Sequence, residues 1–239
     1  RTHANAFISE IRKQGRSANT SNAYHKQCRS VFAYLLEDAG LLYNPFDFPL
    51  LKKQEETREA FSLEELKLIN DNLSGFVRPI FMIGLFTGLS EGDICMLRWD
   101  EVKGDVIAGK RRRKTGVALE IPILPPLATF LSEQREISGE QEFVLPEHAS
   151  MYQTNPSGIS YRVKQFLEKL KIQTTRKVPG RDRAVSIKDV HSLRHTFAYL
   201  AGIYNIPLPI VQGILGHMSP AMTSHYQAHA TREAKQRYL

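Results

Sequence analysis

The amino-acid sequence predicts a mainly helical α+β protein, in which a linker joins a helical domain to a larger domain with a small antiparallel sheet. Over most of the chain, apolar residues recur every three or four positions, which is the spacing of an amphipathic helix. Between positions 102 and 123 the spacing changes to two, which indicates strands. Residues 48–58 turn polar and charged, and we interpret them as the linker.

The composition indicates a globular protein with a polyanionic partner. Hydrophobic residues make up 42% of the chain and charged residues 24%, which is enough apolar material to form a core. The formal net charge of +7 favours nucleic acid as the partner. Cys28 and Cys95 are too few and too far apart for a disulfide framework or a zinc cluster, so we expect a reducing, intracellular setting. The richest apolar run, 76–89, is interrupted by Arg78 and Pro79, so no membrane span is predicted.

Residues 1–47 are predicted to form the helical domain. The apolar face of its first helix consists of Phe7, Ile8 and Ile11. The apolar residues at helical spacing in its second helix are Tyr24, Val31, Phe32, Leu35 and Leu36. Pro45 stops this second helix, because proline cannot continue it. The chain starts with arginine inside a helix-like pattern, from which we expect a domain truncated at its N-terminus.

Residues 59–239 are predicted to form the larger domain. It opens on a helix whose start is marked by a capping box of Ser62 and Glu65. An apolar helix at 76–87 ends at Gly88, and a shorter helix follows at 91–98. Strands near 106–107 and 117–123 flank a basic turn. Further helices are predicted at 126–134, 156–170, 190–204 and 208–215 and from 219 onward, with a basic loop at 172–189.

Four polar residues in the C-terminal part are candidates for a site. His191 and Arg194 are three residues apart on a predicted helix, so they share one face. Gly216 ends one helix and the next begins at 219–220, which places His217 on the corner between them. Tyr226 lies two turns into that last helix. Taken one at a time, these residues also fit a core helix with a solvated basic side, or ordinary packing.

Basic residues cluster in the hairpin turn and in the loop at 172–189, and both clusters suit contacts with DNA phosphates. The turn fixes where Lys114 projects, which suits insertion into a DNA groove. The candidate DNA-contact residues are Lys110, Arg111, Arg112, Arg113, Arg176, Lys177, Arg181 and Arg183.

Together, these motifs resemble the tyrosine recombinases of the phage integrase type. The stretches that carry the resemblance are His-Ser-Leu-Arg-His-Thr-Phe-Ala at 191–198, Leu-Gly-His at 215–217, Tyr226 nine residues after that histidine, and Lys-Thr-Gly at 114–116. Thr-Gly-Leu at 87–89 is similar to the first motif of the family, and Asn-Pro-Phe at 44–46 to the junction after its helical core-binding domain. Each motif is short, but their order along nearly the whole chain is specific.

The resemblance implies a site-specific DNA recombinase, with a core-binding DNA domain at 1–47 and a catalytic domain at 59–239. It implies Tyr226 as the nucleophile that forms a 3′-phosphotyrosyl link, with His191 in acid–base work. Arg194 and His217 would bind the phosphate, and Lys114 would protonate the leaving 5′-oxygen. Neither a metal nor another cofactor is implied. The implied partner is double-stranded DNA, which a tetramer of the chain would bind, and a monomer without DNA stays open. The implied location is the cytoplasm, for a protein encoded by a bacterium or a phage, with no membrane partner.

The sequence departs from the family pattern at one position. The first motif of the family continues with an arginine that binds the phosphate, and here that position is Ser90. A serine hydroxyl cannot replace a bidentate charged contact, so activity is reduced unless another residue fills the role. A natural variant, a weak relative and a deliberate replacement all remain open. We predict that Ser90 and Asp93 form an N-cap pair, and that Arg98 is a packing residue rather than a substitute.

Three other functional classes have features in common with this sequence. His191 and His195 have the spacing of a zinc site, but no glutamate follows His191 and no third ligand stands nearby, so we expect no metal and a structural His195. A DNA-binding relative that keeps the fold but does not cut stays open because of Ser90. Type IB topoisomerases share the chemistry, but the phage-like motifs favour recombination.

Overall fold

The computed structural model describes residues 1–52, 58–111, 116, 118–179 and 183–216. The chain divides into two compact units, one made of 1–57 with 175–185 and the other of 58–174 with 186–239. Among the described residues, no helix is both long and apolar enough to cross a membrane. The assignment of 1–47 to DNA core binding and of 59–239 to catalysis stays a prediction.

The first unit contains two helices, α1 (Thr2–Lys13) and α2 (Ala18–Tyr34). Its small core consists of Ala4, Ile8, Ile11 and Phe46. Of the apolar residues at helical spacing in α2, Phe32 packs against this core, whereas Tyr24 and Val31 are 44% and 54% exposed. The helix instead buries small and polar side chains, among them His25, whose Nε2 lies 2.7 Å from the carbonyl oxygen of Phe46 in a hydrogen bond. A buried polar group with such a partner leaves no mark in an apolar pattern.

The second unit carries most of the regular structure. Its helices are α3 (Leu63–Asn72), α4 (Val77–Thr87), α5 (Glu91–Cys95), α6 (Pro125–Ser138), α7 (Pro146–Thr154), α8 (Pro156–Lys169), α9 (Val190–Ile203) and α10 (Leu208–Leu215). The strands β1 (Val102–Lys103), β2 (Val106–Arg111) and β3 (Ala118–Pro122) form an antiparallel sheet in that order, with Ile107 opposite Ile121. The segment predicted as a basic loop, of which residues 175–185 belong to the first unit, contains two short paired strands, β4 (Thr175–Arg176) and β5 (Val185–Ser186).

Several local predictions are confirmed. Ser62 and Glu65 form both bonds of a capping box at the start of α3. Gly88 ends α4 in the left-handed conformation, with φ of 61°. The helix α7 was not predicted, because its apolar residues are few. Its start is nevertheless marked by a proline in the first turn, Pro146, a position that proline favours.

The core of the second unit brings α9 against α4. Leu193 of α9 is fully buried with Ile80, Ile83 and other residues of the main cluster. A Cβ on Gly84 of α4 would lie 2.6 Å from Cδ1 of Leu193, so this glycine allows the two helices to approach closely. The helix that carries His191 and Arg194 is therefore held rigidly by apolar packing.

Candidate active site

The start of α9 is fixed by its N-cap residue, Asp189. Its Oδ1 accepts a hydrogen bond of 2.9 Å from the backbone N–H of His191, and its backbone N–H donates to Oγ of Ser192. A carboxylate at this position also interacts favourably with the positive end of the helix. His191 is exposed in the first turn of α9, whereas Arg194, one turn later, is only 7% exposed. Capping thus places the two predicted site residues in one short, ordered stretch.

The guanidinium of Arg194 is anchored to two backbone carbonyls. Its Nη1 donates to the carbonyl oxygen of Gly88 at 2.9 Å, and its Nη2 donates to that of Leu215 at 2.7 Å. These bonds connect α9 with the corner after α4 and with the end of α10. They use two of the five N–H donors of the side chain and set the plane of the guanidinium. A buried arginine held in this way is preorganised for an anion.

Gly88 is required by this arrangement, and its replacement by alanine should destabilise the protein. A Cβ there would lie 2.5 Å from Cδ2 of Leu215 and 3.0 Å from Cδ1 of Phe197, on a backbone with positive φ. We expect a loss of about 2–4 kcal/mol, which combines backbone strain with overpacking. Gly104→Ala is the matched control, because Gly104 has φ of 62° and no atom within 4 Å, so only strain applies. Equal losses of the two variants in urea unfolding would contradict this account.

Ser90 lies at the corner between α4 and α5. It is the N-cap residue of α5, as predicted, but its hydroxyl makes no bond to the helix backbone. Instead its Oγ donates to Oδ2 of the buried Asp93 at 2.6 Å. The next residue, Glu91, accepts a hydrogen bond from the hydroxyl of Ser160. Burial, foremost, raises the pKa of Glu91, and the nearby Asp189 adds to the increase.

Two sequence-based predictions about basic residues do not fit their surroundings. Lys110 is only 4% exposed, and its Nζ lies 3.0 Å from Oε2 of Glu101, so it stabilises the sheet rather than offering a charge to DNA. Arg98 is not a packing residue, because its side chain is 45% exposed and pairs with Asp100 and Glu142. Because these two carboxylates bind the guanidinium of Arg98, this residue does not take the place of the arginine that the first motif lacks.

The remaining predicted residues fall into two groups. Those that the structure describes are exposed, namely Arg111, Arg176, Lys177 and Arg183. Those that lie outside the described residues are Arg112, Arg113, Lys114, Arg181, His217 and Tyr226. Of the predicted catalytic residues, the structure therefore places His191 and Arg194, together with the departure at Ser90.

His195 is a buried neighbour of His191, with the two rings edge to face and their centroids 5.0 Å apart. Burial, foremost, lowers the pKa of His195 to about 3, and the charge of His191 adds to the decrease. Its imidazole is therefore neutral in the folded protein at neutral pH. This agrees with the predicted structural role.

The histidine at position 195 should make stability depend on pH. An imidazole in the unfolded chain has a pKa of about 6.5. Between this value and about 3 the unfolded state binds more protons, so stability is lost as the pH falls through that window. We expect His195 to lower the free energy of unfolding by about 1.4 kcal/mol between pH 7.5 and pH 5.5. In urea unfolding, His195→Gln should remove this part of the pH dependence, and an unchanged dependence would refute the assignment.

One charged residue near α9 was missed by sequence reasoning. Nε of Arg58 donates to Oδ2 of Asp189 at 2.9 Å, across 131 positions of sequence. Arg58 stands at the end of the charged segment interpreted as a linker, and no motif distinguishes it there. Within the described part of the chain, no group of three or more His, Cys, Asp or Glu side chains could hold a metal ion.

Comparison with known proteins identifies related sequences over almost the whole chain. The model of the phage integrase family matches residues 51–233. The tyrosine recombinase XerC-like protein of Caldanaerobacter subterraneus is 22% identical over 96% of this chain and 67% of its own length. Tyrosine recombinase XerC of Anoxybacillus flavithermus is 25% identical over 95% of this chain and 76% of its own length. Transposase B from transposon Tn554 of Staphylococcus aureus is 24% identical over 95% of this chain and 37% of its own length.

Solved structures share the fold at low sequence identity. A lambda integrase dimer bound to a COC′ core site has a TM-score of 0.71 and 20% identity, over 95% of this chain and 78% of that chain. The Tn1549 transposon integrase in complex with circular intermediate DNA has a TM-score of 0.72 and 20% identity, over 99% of this chain and 83% of that chain. A lambda integrase tetramer bound to a Holliday junction has a TM-score of 0.70, over 95% of this chain and 64% of that chain. The predicted mainly helical fold with a small antiparallel sheet is confirmed.

Proposed function

This chain belongs to the phage integrase family and is a site-specific DNA recombinase, and we propose that it cuts and rejoins DNA through a 3′-phosphotyrosyl intermediate on Tyr226. The match at 51–233 includes every motif from Ser90 to Tyr226, so the family resemblance of the sequence is confirmed. The roles of the individual residues below are proposals.

The observation that carries this proposal is the environment of Arg194. Its guanidinium is buried and bonded to the carbonyls of Gly88 and Leu215, one turn after the exposed His191. The two bonds to carbonyls fix the orientation of the buried cation. A positive charge held in place attracts a phosphate, whose non-bridging oxygens gain charge in the transition state. Its neighbour His191 is within reach of the same bound group.

In the proposed reaction, Oη of Tyr226 attacks the scissile phosphorus while the bond from phosphorus to the 5′-oxygen breaks. Phenol is a weak nucleophile at neutral pH because its pKa is about 10, and His191 takes up its proton. Lys114 donates a proton to the departing 5′-oxygen. Arg194 and His217 hold the non-bridging oxygens of the phosphate. A 5′-hydroxyl from another strand reverses these steps and releases the tyrosine.

The proposed steps need no cofactor. The phosphotyrosyl bond replaces one phosphodiester bond by another, so the energy for rejoining is kept in the covalent intermediate. We also place the reaction in the cytoplasm of a bacterial host, where the two cysteines stay reduced and where an element or phage would encode the protein.

We propose double-stranded DNA as the substrate and a tetramer on DNA as the active assembly. The exposed basic residues Arg111, Arg176, Lys177 and Arg183 would contact phosphates, which predicts affinity that falls steeply with salt. Residues 1–47 would bind the core of the site and residues 59–239 would carry the chemistry. The tetramer is supported by the lambda integrase that was solved as a tetramer on a Holliday junction.

A nicked substrate tests the proposal. The target duplex is first enriched for binding from a randomised library, and a nick is then placed beside the expected cleavage point. Cleavage releases a short fragment that diffuses away, so the covalent protein–DNA adduct accumulates and resists denaturation. Mass spectrometry of the digested adduct should locate the DNA on the peptide that contains Tyr226. Binding without any adduct would instead support the relative that binds DNA but does not cut it.

A further inference from the structure

The backbone next to Arg58 is hydrogen-bonded to α9, the helix that carries His191 and Arg194, and to the residues just before it. The N–H of Glu59 donates to the carbonyl of Ile187 at 2.8 Å, just before α9 begins. The N–H of Phe61 donates to Oγ1 of Thr196, within α9, at 2.9 Å, and the ring of Phe61 is fully buried. Arg58 therefore leaves the main chain at a defined point beside the start of α9, rather than from a free linker.

The side chain of Arg58 is held by one bond to this helix. Its Nε donates to Oδ2 of Asp189, the same carboxylate that caps the N–H of His191. Its terminal nitrogens, Nη1 and Nη2, make no hydrogen bond to any residue in the described ranges, and the side chain is 42% exposed. Asp189 thus orients the guanidinium, whose planar pair of Nη donors matches the geometry of phosphate oxygens.

A cavity of about 590 Å³ lies beside this guanidinium, and its charged lining residues are three bases and one carboxylate. Its lining residues include Arg58, Ser157, Ser160, Lys164, Lys188 and Asp189. The hydroxyl of Ser160 bonds to Glu91, the residue directly after Ser90. The cavity therefore connects Arg58 with the corner where the family has its first arginine.

Two neighbouring cations in the cavity are less suited to bind an anion. Nζ of Lys188 pairs with Glu65, and Nζ of Lys164 lies 3.6 Å from Oε1 of Glu168. The carboxylate that Arg58 contacts belongs to Asp189, the N-cap residue of α9. In addition, Arg58 and Arg194 both contribute to the low pKa of His195, because both place positive charge near its ring.

We propose that Arg58 donates hydrogen bonds from its Nη atoms to the DNA phosphate bound by His191 and Arg194, and so replaces the arginine that Ser90 displaces. This inference rests on the proposed function, because it takes a DNA phosphate as the ligand of the site. Arg58 is then a phosphate-binding residue, and Asp189 is the residue that positions it.

Single-turnover cleavage of the nicked duplex tests this assignment. Arg58→Ala should cleave roughly 10²–10³ times more slowly, which is the cost of one preorganised donor to the developing charge. Adding Ser90→Arg to Arg58→Ala should restore most of the cleavage rate of the unmutated chain. The increase should be far larger than the one that Ser90→Arg causes when Arg58 is present. The matched control is Arg78→Ala, because Arg78 is 38% exposed and pairs with one carboxylate, Glu133, on another part of the unit. It should cleave like the unmutated chain.

A substrate with a methylphosphonate at the scissile position separates charge neutralisation from structural damage. This group lacks one non-bridging oxygen and its charge, so Arg58→Ala should lose little on it. Loss of an exposed ion pair changes stability little, so the variant should still fold, which circular dichroism checks. The proposal is overturned if Arg58→Ala cleaves normally. It is also overturned if its defect is equally large on the methylphosphonate and is not repaired by Ser90→Arg.

Equilibrium binding distinguishes failure of this inference from failure of the proposed function. On the uncut duplex, Arg58→Ala should weaken binding by about tenfold, and a methylphosphonate at the scissile position should remove that difference. An unmutated chain that binds but forms no adduct would reject cleavage while the binding comparison still decides the role of Arg58. Binding that is equal for Arg58→Ala and the unmutated chain rejects Arg58. A chain that binds no DNA rejects both proposals.

Discussion

Tyr226→Phe should abolish the covalent protein–DNA adduct while leaving DNA binding intact. The substitution removes only the phenolic oxygen, and no other atom of the ring can form a phosphate ester. The exposed basic residues and the proposed phosphate contacts of Arg194 and His191 are retained, so the affinity for the uncut duplex should stay within a factor of about three, since no charged contact is lost. Denaturing gels of the nicked substrate measure the adduct, and mobility shift measures the binding.

A second tyrosine provides the control for this prediction. Tyr204 lies at the end of α9 and is 75% exposed, so Tyr204→Phe removes a hydroxyl from the same unit without touching the proposed chemistry. It should form adduct at the rate of the unmutated chain. An adduct that persists in Tyr226→Phe would mean that another residue is the nucleophile, and the proposed mechanism would have to be abandoned.

Arg194→Ala should reduce the rate of strand cleavage by at least about 10²–10³, because it removes the buried cation that we propose stabilises the charge of the transition state. It should also destabilise the protein. The carbonyls of Gly88 and Leu215 each lose a charged donor, at a cost of about 1–3 kcal/mol for each group that stays buried and unpaired. Single-turnover cleavage and urea unfolding, measured on the same preparation, give both quantities.

A core variant separates these two effects. Leu127 in α6 is fully buried in the main core, and Leu127→Ala should cost about 2–5 kcal/mol by leaving a cavity. It should retain cleavage at temperatures where it stays folded, since its side chain has neither a charge nor a hydrogen-bonding group that could bind a phosphate. If Leu127→Ala loses cleavage to the same extent as Arg194→Ala, the effect is one of stability, and the phosphate-binding role of Arg194 is rejected.

Elements with strong local signals were predicted well from the sequence. The capping box at Ser62 and the left-handed glycine at position 88 are confirmed, because both depend on residues within one turn of the helix end. The strands of the small sheet follow from alternation of apolar and polar residues. The helix that carries His191 and Arg194 begins at Val190, as predicted from the helical spacing of the sequence.

The wrong predictions concern which side chains are buried or paired. The apolar side chains of α2 are largely exposed, while His25 is buried against a carbonyl. Lys110 belongs to a basic run, yet it is buried and neutralised by Glu101. The sequence shows which side chains are charged, but it does not show whether a side chain from another element neutralises that charge.

The sequence by itself determined the family, because its short motifs stand in the order and at the spacing that this family shares. It also revealed that the first motif has Ser90 where the family has an arginine. Only the tertiary structure decided which cation lies beside the site: Arg58 meets Asp189 across 131 positions. The physical reason is that local spacing sets the face of a helix, whereas contacts between distant residues depend on how every intervening element packs.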